Sequence, residues 1–311
     1  MRMPSTRAIA ATAVLAAFAV IPQFGLPDYW LYTLSIGFYY AILAASWSLL
    51  VGYVGRISFA QAAMSGLGAY GSILAIQYFG LPLPLAILAG VAIAGVAGLA
   101  VGWLSLRMHG AYLGLTTIAF SEILRIAITA EHAFTQGSRG LQAPALIENG
   151  SRLDYYYLFL TVTTACLLVM GLLLRSRLGL FFQAIREDED GAASLGVNVT
   201  VWKVVAFAIS CAFAGLGGAL YGHFVQLIAP SMMSLQEMGY VLTMAVIGGF
   251  HNVLFAALGG VFLQLVLESL REIGEWRLVI FGLAAILMLR FAPNGLFGMV
   301  ADRLFAARTR P

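Results

Sequence analysis

Two groups of charged residues stand where side-chain chemistry needs a reason. The first is Glu122 and Arg125, inside the otherwise apolar stretch 111–130. Three residues apart, they share one face of a helix. A lone charge in an apolar setting is expensive, so the two either neutralise each other or line a wet cavity. Thr117 and Ser121 fall on a similar face, and Gln61 and Ser65 lie one turn apart in the stretch 58–79. These four either line a polar route or cross-link neighbouring helices by hydrogen bonds. The second group is Arg186, Glu187, Asp188, Glu189 and Asp190, followed by Ala192, Ala193 and Gly196. Asp188 or Asp190 can cap a short helix, with the acidic run at the positive end of its dipole. Gly196 can end that helix in the left-handed conformation. Ala192 and Ala193 give it a small face suited to a partner's groove. The four acids balance Arg175, Arg177, Arg186 and Lys203, which is unlike a basic lipid-binding patch.

Other chemistry falls away on counting. Lys203 is the single lysine, and no G-x-x-x-x-G-K-[ST] occurs, so no P-loop for ATP is expected. His109, His132, His223 and His251 are scattered without metal-ligand spacing. Cys166 and Cys211 sit in separate apolar runs and read as buried thiols. No Ser–His or Asp–Asp pair is placed for catalysis within an apolar run. The expectation is a chain with no catalytic residue, metal or cofactor of its own.

The elements that must position these residues are apolar and long. Of 311 residues, 61% are hydrophobic and 10% charged, against about 25% charged in a soluble domain. The stretch 80–106 carries no charge, which fits hydrocarbon and not a water-facing fold. Disorder, nucleic-acid binding and a secreted disulfide scaffold are excluded. The expected fold is an all-α polytopic membrane protein, one transmembrane domain over 1–311 with about ten spans (eight to ten). The spans read as 8–24, 30–51, 58–79, 84–106, 111–130, 155–174, 202–225, 233–250, 253–270 and 276–291. Only Gly-Gly-Phe-His-Asn separates the eighth from the ninth, which leaves two spans, a re-entrant pair or one broken helix open. Arg2 and Arg7 precede an apolar run that resembles a signal peptide and is read as an uncleaved first span. With the N-terminus inside, twelve basic residues fall on the cytoplasmic side and Arg139, Arg152, Arg271 and Arg277 outside. That bias places both termini in the cytoplasm. Gly98/Gly102 and Gly218/Gly222 form G-x-x-x-G pairs for close helix packing.

Two loops are longer than connectors need to be. The external one, 131–154, holds Gly137, Ser138 and Arg139 among turn residues and is either a binding surface or a solvated connector. The cytoplasmic one, 175–201, holds the acidic run and reads as a mechanical handle between two spans.

Several stretches together resemble one family, the LivM-type permease subunits of branched-chain amino acid ABC importers. Arg186 to Gly196 is similar to the segment by which such permeases dock on their ATP-binding subunit. Against the wider E-A-A-x-x-x-G pattern, Asp190, Gly191, Ala192 and Gly196 are in register, with Asp for Glu and Gly for Ala. Ser46–Gly55, Ser58–Tyr70, the F-x-E-I-x-R of Phe120–Arg125, the G-[ST]-x-G-L of Gly137–Leu141, Val246–Gly249 and Pro293–Gly298 add to the resemblance. Phe-His-Asn-Val-Leu-Phe after Gly249 departs from the family's glycine-rich continuation, as does Arg139 from the usual residue there.

The resemblance implies half of a translocation pore in a bacterial-type inner membrane. A second, LivH-like permease completes it, two ATP-binding subunits supply ATP and Mg, and a periplasmic binding protein delivers the solute. Arg186–Asp190, Ala192, Ala193 and Gly196 are then the coupling residues. Gln61, Ser65, Thr117, Ser121, Glu122 and Arg125 are pathway candidates for a zwitterion, and Gly137, Ser138 and Arg139 binding-protein contacts. Urea, amides or small aromatic acids are the alternative solutes. The alternative class is a secondary transporter or channel, which calls for intramembrane acids, and only Glu122 reads as a mid-span acid.

Overall fold

The computed structural model describes residues 15–108, 110–274, 276–291 and 295–299. Arg2, Arg7, His109, Pro293, Asn294 and the arginines at 303, 308 and 310 lie outside the described residues, as does the start of the first expected span. Helices dominate: α1 (Leu15–Phe24), α2 (Asp28–Val54), α3 (Gln61–Phe79), α4 (Leu83–Leu104), α5 (Ala111–Ala130) and α6 (Arg152–Arg175). Two short helices follow, α7 (Arg177–Glu187) and α8 (Glu189–Ser194), then α9 (Val199–Val225), α10 (Leu235–Gly248), α11 (Val253–Ser269) and α12 (Trp276–Phe291).

Among the described residues, five helices are long and apolar enough to cross a membrane, α2, α4, α5, α6 and α9. The count is six if α10 and α11, bent by 118° at their break, form one span. The expected stretches 233–250 and 253–270 are therefore short helices of 14 and 17 residues hinged on each other. Gly249, at φ 120°, makes the hinge, and Asn252 restarts the chain by accepting from Leu254 N–H at 2.9 Å. The expected span 58–79 begins only at Gln61, because 55–60 is non-helical, its Ser58 carbonyl held by the Trp47 indole at 2.7 Å.

The central element is α2, buried along most of its length. It starts after Pro27 and ends where Gly55, at φ 73°, turns its N–H back to Leu50 O. α11 runs antiparallel along it, with Gly260 against Ala41 and Gly37 against Val261. A second seam joins α3, α4 and α9, where Gly68, Gly90 and Gly215 meet backbone to backbone. The two G-x-x-x-G pairs do not face each other. Gly98 and Gly102 rest on Val204–Cys211 of α9, whereas Gly218 rests on Ser65 and Gly222 on Ala69 and Ile228. With no hydrophobic drive between helices in lipid, such close approach supplies the van der Waals contact that holds them.

Candidate functional site

Halfway through the helical body, Arg125 donates to Glu122 from Nε at 2.9 Å and again from Nη2. The pair sits on a face of α5 that the chain leaves partly open, the two side chains being 32% and 44% exposed. Ser121 and Glu122 line a cavity of about 140 Å³. Its other walls are Phe59, Ile118, Met233, Leu235 and Met238, with Ser234 at the start of α10. The cavity is an apolar chamber with hydroxyls and one carboxylate along its edge.

The remaining pathway candidates lie behind this wall. Thr117 Oγ1 accepts from Phe59 N–H at 2.9 Å, and the Ser121 hydroxyl contacts Phe59 O at 3.2 Å and Thr117 O at 2.8 Å. Both therefore tie α5 to the α2–α3 connection. Gln61 donates to the Ser210 hydroxyl at 2.9 Å, and Ser210 donates to Ser46 O at 2.7 Å, linking α3, α9 and α2. The Ser65 hydroxyl pairs with Tyr39 at 3.0 Å. Gln61, Ser65 and Thr117 are fully buried.

The sequence reading missed a second acid set against the middle of a long helix. Glu237, in the first turn of α10, accepts from the Tyr40 hydroxyl at 2.8 Å, near the midpoint of α2. The run Ser234-x-x-Glu237 resembles a capping box, which places a residue at a helix end and so at a membrane edge. α10, however, begins beside the middle of α2.

On the side of Arg56, the acidic run forms two helices and not one. Asp188 is the cap, accepting from Asp190 N–H at 3.1 Å and Gly191 N–H at 3.0 Å. Arg186 and Glu187 end the preceding α7, and Gly196, at φ 85°, closes the segment. Arg186 donates to Gly52 O and reaches His251 Nδ1 at 3.4 Å in the α10–α11 hinge. Glu189 bridges Arg56, at 2.5 Å, and Lys203. Ala192 is buried, so Ala193 alone of the two alanines is presented, beside exposed Glu187 and Asp190. Leu195, 88% exposed, extends this outward face and was not singled out in the sequence. Its signal was an apolar residue between Ser194 and the closing Gly196.

At the opposite end, the 131–154 segment is folded onto the bundle. Gly137 and Gly140, at φ 57° and 76°, form a turn that ends in β1 (Leu141–Gln142). β1 pairs antiparallel with β2 (Leu227–Ile228), Leu141 opposite Ile228. His223, given no role in the sequence, pins this cap from below: its ring contacts Pro144 O at 2.9 Å and the Ser72 hydroxyl at 2.8 Å. Ser138 and Arg139 are exposed, whereas Gly137 is buried.

Known proteins of similar sequence carry a consistent function. The LivM permease of the high-affinity branched-chain amino acid transport system of Salmonella typhimurium is 31% identical over 297 residues, covering 85% of this chain and 69% of LivM. LivH of the same organism is 28% identical, covering 85% of this chain and 92% of LivH. BraD of Pseudomonas aeruginosa is 28% identical, covering 85% and 93%. No solved structure matches. Residues 29–289 match the family described as the permease component of the branched-chain amino acid transport system. That match spans α2 to α12, all three sites included, and the chain belongs to this family of multi-pass membrane permeases.

Proposed function

We propose that the chain is one of two permeases in an importer that passes a branched-chain or related aliphatic amino acid into the cell. Its partners are a second, LivH-like permease, two ATP-binding subunits that hold ATP and Mg, and a periplasmic binding protein. The observation that carries this reading is the cavity beside Glu122: five apolar side chains, two serines and a carboxylate suit a small solute with an aliphatic tail and a charged head. In this reading Ser121, Glu122 and Arg125 line the route, while Gln61, Ser65 and Thr117 brace its walls. Ten helices, α1 to α6 and α9 to α12, traverse the bilayer wholly or in part, both termini being cytoplasmic. The clustering of Arg56, Arg186 and Lys203 at one end supports that orientation.

The α7–α8 segment receives the ATP-binding subunit through Glu187, Asp190, Ala193, Leu195 and Gly196, and Ser138 and Arg139 meet the binding protein. Reconstitution of the four kinds of subunit in proteoliposomes tests the reading. ATP-dependent uptake of leucine, isoleucine or valine is expected. Uptake of urea, acetamide or benzoate in their place reassigns the solute, and uptake without ATP rejects the importer.

A further inference from the structure

Glu237 has no part in the reading above, yet its position asks for a cation. Its partner Tyr40 lies near the middle of the 27-residue α2, about 20 Å from either end at 1.5 Å per residue. With α2 spanning the bilayer, the carboxylate stands near its midplane. Ion pairs among the described residues engage Glu122, Glu189 and Glu268, and none reaches Glu237. Acids at this depth pair with a cation or mark the path of one.

The surroundings are aromatic. Tyr39 and Tyr40 have ring centres 5.0 Å apart, and Tyr39 stacks on Tyr221 at 4.3 Å. Tyr32, Ile36 and Tyr40 follow each other at four-residue spacing on one face of α2, and all are half-buried, as is Tyr221 on α9. This partly open strip runs from Glu237, beside the middle of α2, towards the start of that helix, where the Arg152 guanidinium stands 5.0 Å above the Tyr32 ring. A carboxylate among phenol rings attracts an ammonium group by charge, by hydrogen bonding and through the ring faces. Glu122 lines its cavity already paired to Arg125 by two hydrogen bonds, whereas no ion pair among the described residues reaches Glu237.

We infer that Glu237, with Tyr40 and Tyr221, receives the α-ammonium group of the amino acid as it passes the membrane midplane. The inference rests on the chain being an amino-acid permease. Glu237→Gln tests it in the complete importer, since the amide keeps the volume and still accepts from Tyr40. Uptake per ATP hydrolysed is expected to fall about tenfold in complexes of normal subunit composition. Wild-type uptake per ATP in this variant overturns the inference. Should Glu237→Gln fail to assemble, Tyr40→Phe decides: a fall of about threefold or more supports the site, and unchanged uptake overturns it. Wild-type complex that takes up no amino acid overturns the permease reading itself, before any variant is compared.

Discussion

Glu122 and Arg125 hold each other on a face of α5 that the other described residues leave partly open. Removing one charge strands the other, whereas removing both leaves nothing to neutralise. Glu122→Gln or Arg125→Gln alone is therefore expected to lower the amount of membrane-inserted chain several-fold. The double variant restores it to within about twofold, as coupled partners do. Quantitative immunoblotting of membranes reads the first effect, and uptake separates two roles. Restored protein with restored uptake makes the pair structural, and restored protein without uptake puts it on the solute's route. This pair was legible in the sequence because both partners sit within one helical turn. Glu237 was not, since Tyr40 is 197 positions away. His223 was equally opaque, its contacts lying 79 and 151 positions off. Short-range spacing reveals side chains that meet on one helix and is silent on those that meet between helices.

The α7–α8 segment shows the same division at the scale of an element. Its acids were visible as a run, and Asp188 and Gly196 do cap and close α8. What spacing could not sort was which acids face inward. Glu189 spans Arg56 and Lys203. Lys203, only 3% exposed, depends on that carboxylate for its compensation. Arg186 meanwhile ties the end of α7 to α2 and to the α10–α11 hinge. Glu189→Gln is expected to lower the melting temperature of the detergent-solubilised chain by several degrees and to weaken uptake in consequence. Asp190→Asn, at an exposed site, is expected to leave melting within about one degree and, in the proposed docking role, to lower uptake per ATP. Scanning fluorimetry alongside reconstituted transport distinguishes the two. Identical behaviour of both variants would mean that the run acts as one surface.

At the scale of the molecule, composition alone identified a helical membrane protein, but not how its helices share the bilayer. Apolar length finds α2, α4, α5, α6 and α9 at once. It leaves open α3, whose glycines and serines are buried against α4 and α9, and α10, which is too short to cross alone. The charges nevertheless sort the ends: Arg56, Arg186, Glu189 and Lys203 gather at one, and the β1–β2 cap with Ser138 and Arg139 stands at the other. If the first end is cytoplasmic, single cysteines report it directly, because the native Cys166 and Cys211 are buried. Ser138→Cys is expected to react with a membrane-impermeant maleimide in intact spheroplasts, and Ala193→Cys only after permeabilisation. Assembled ATP-binding subunits should then shield Ala193→Cys and leave Ser138→Cys as reactive as before. The reverse pattern inverts the chain in the membrane. It would place the α7–α8 segment beyond reach of any cytoplasmic ATPase and take the coupling role away with it.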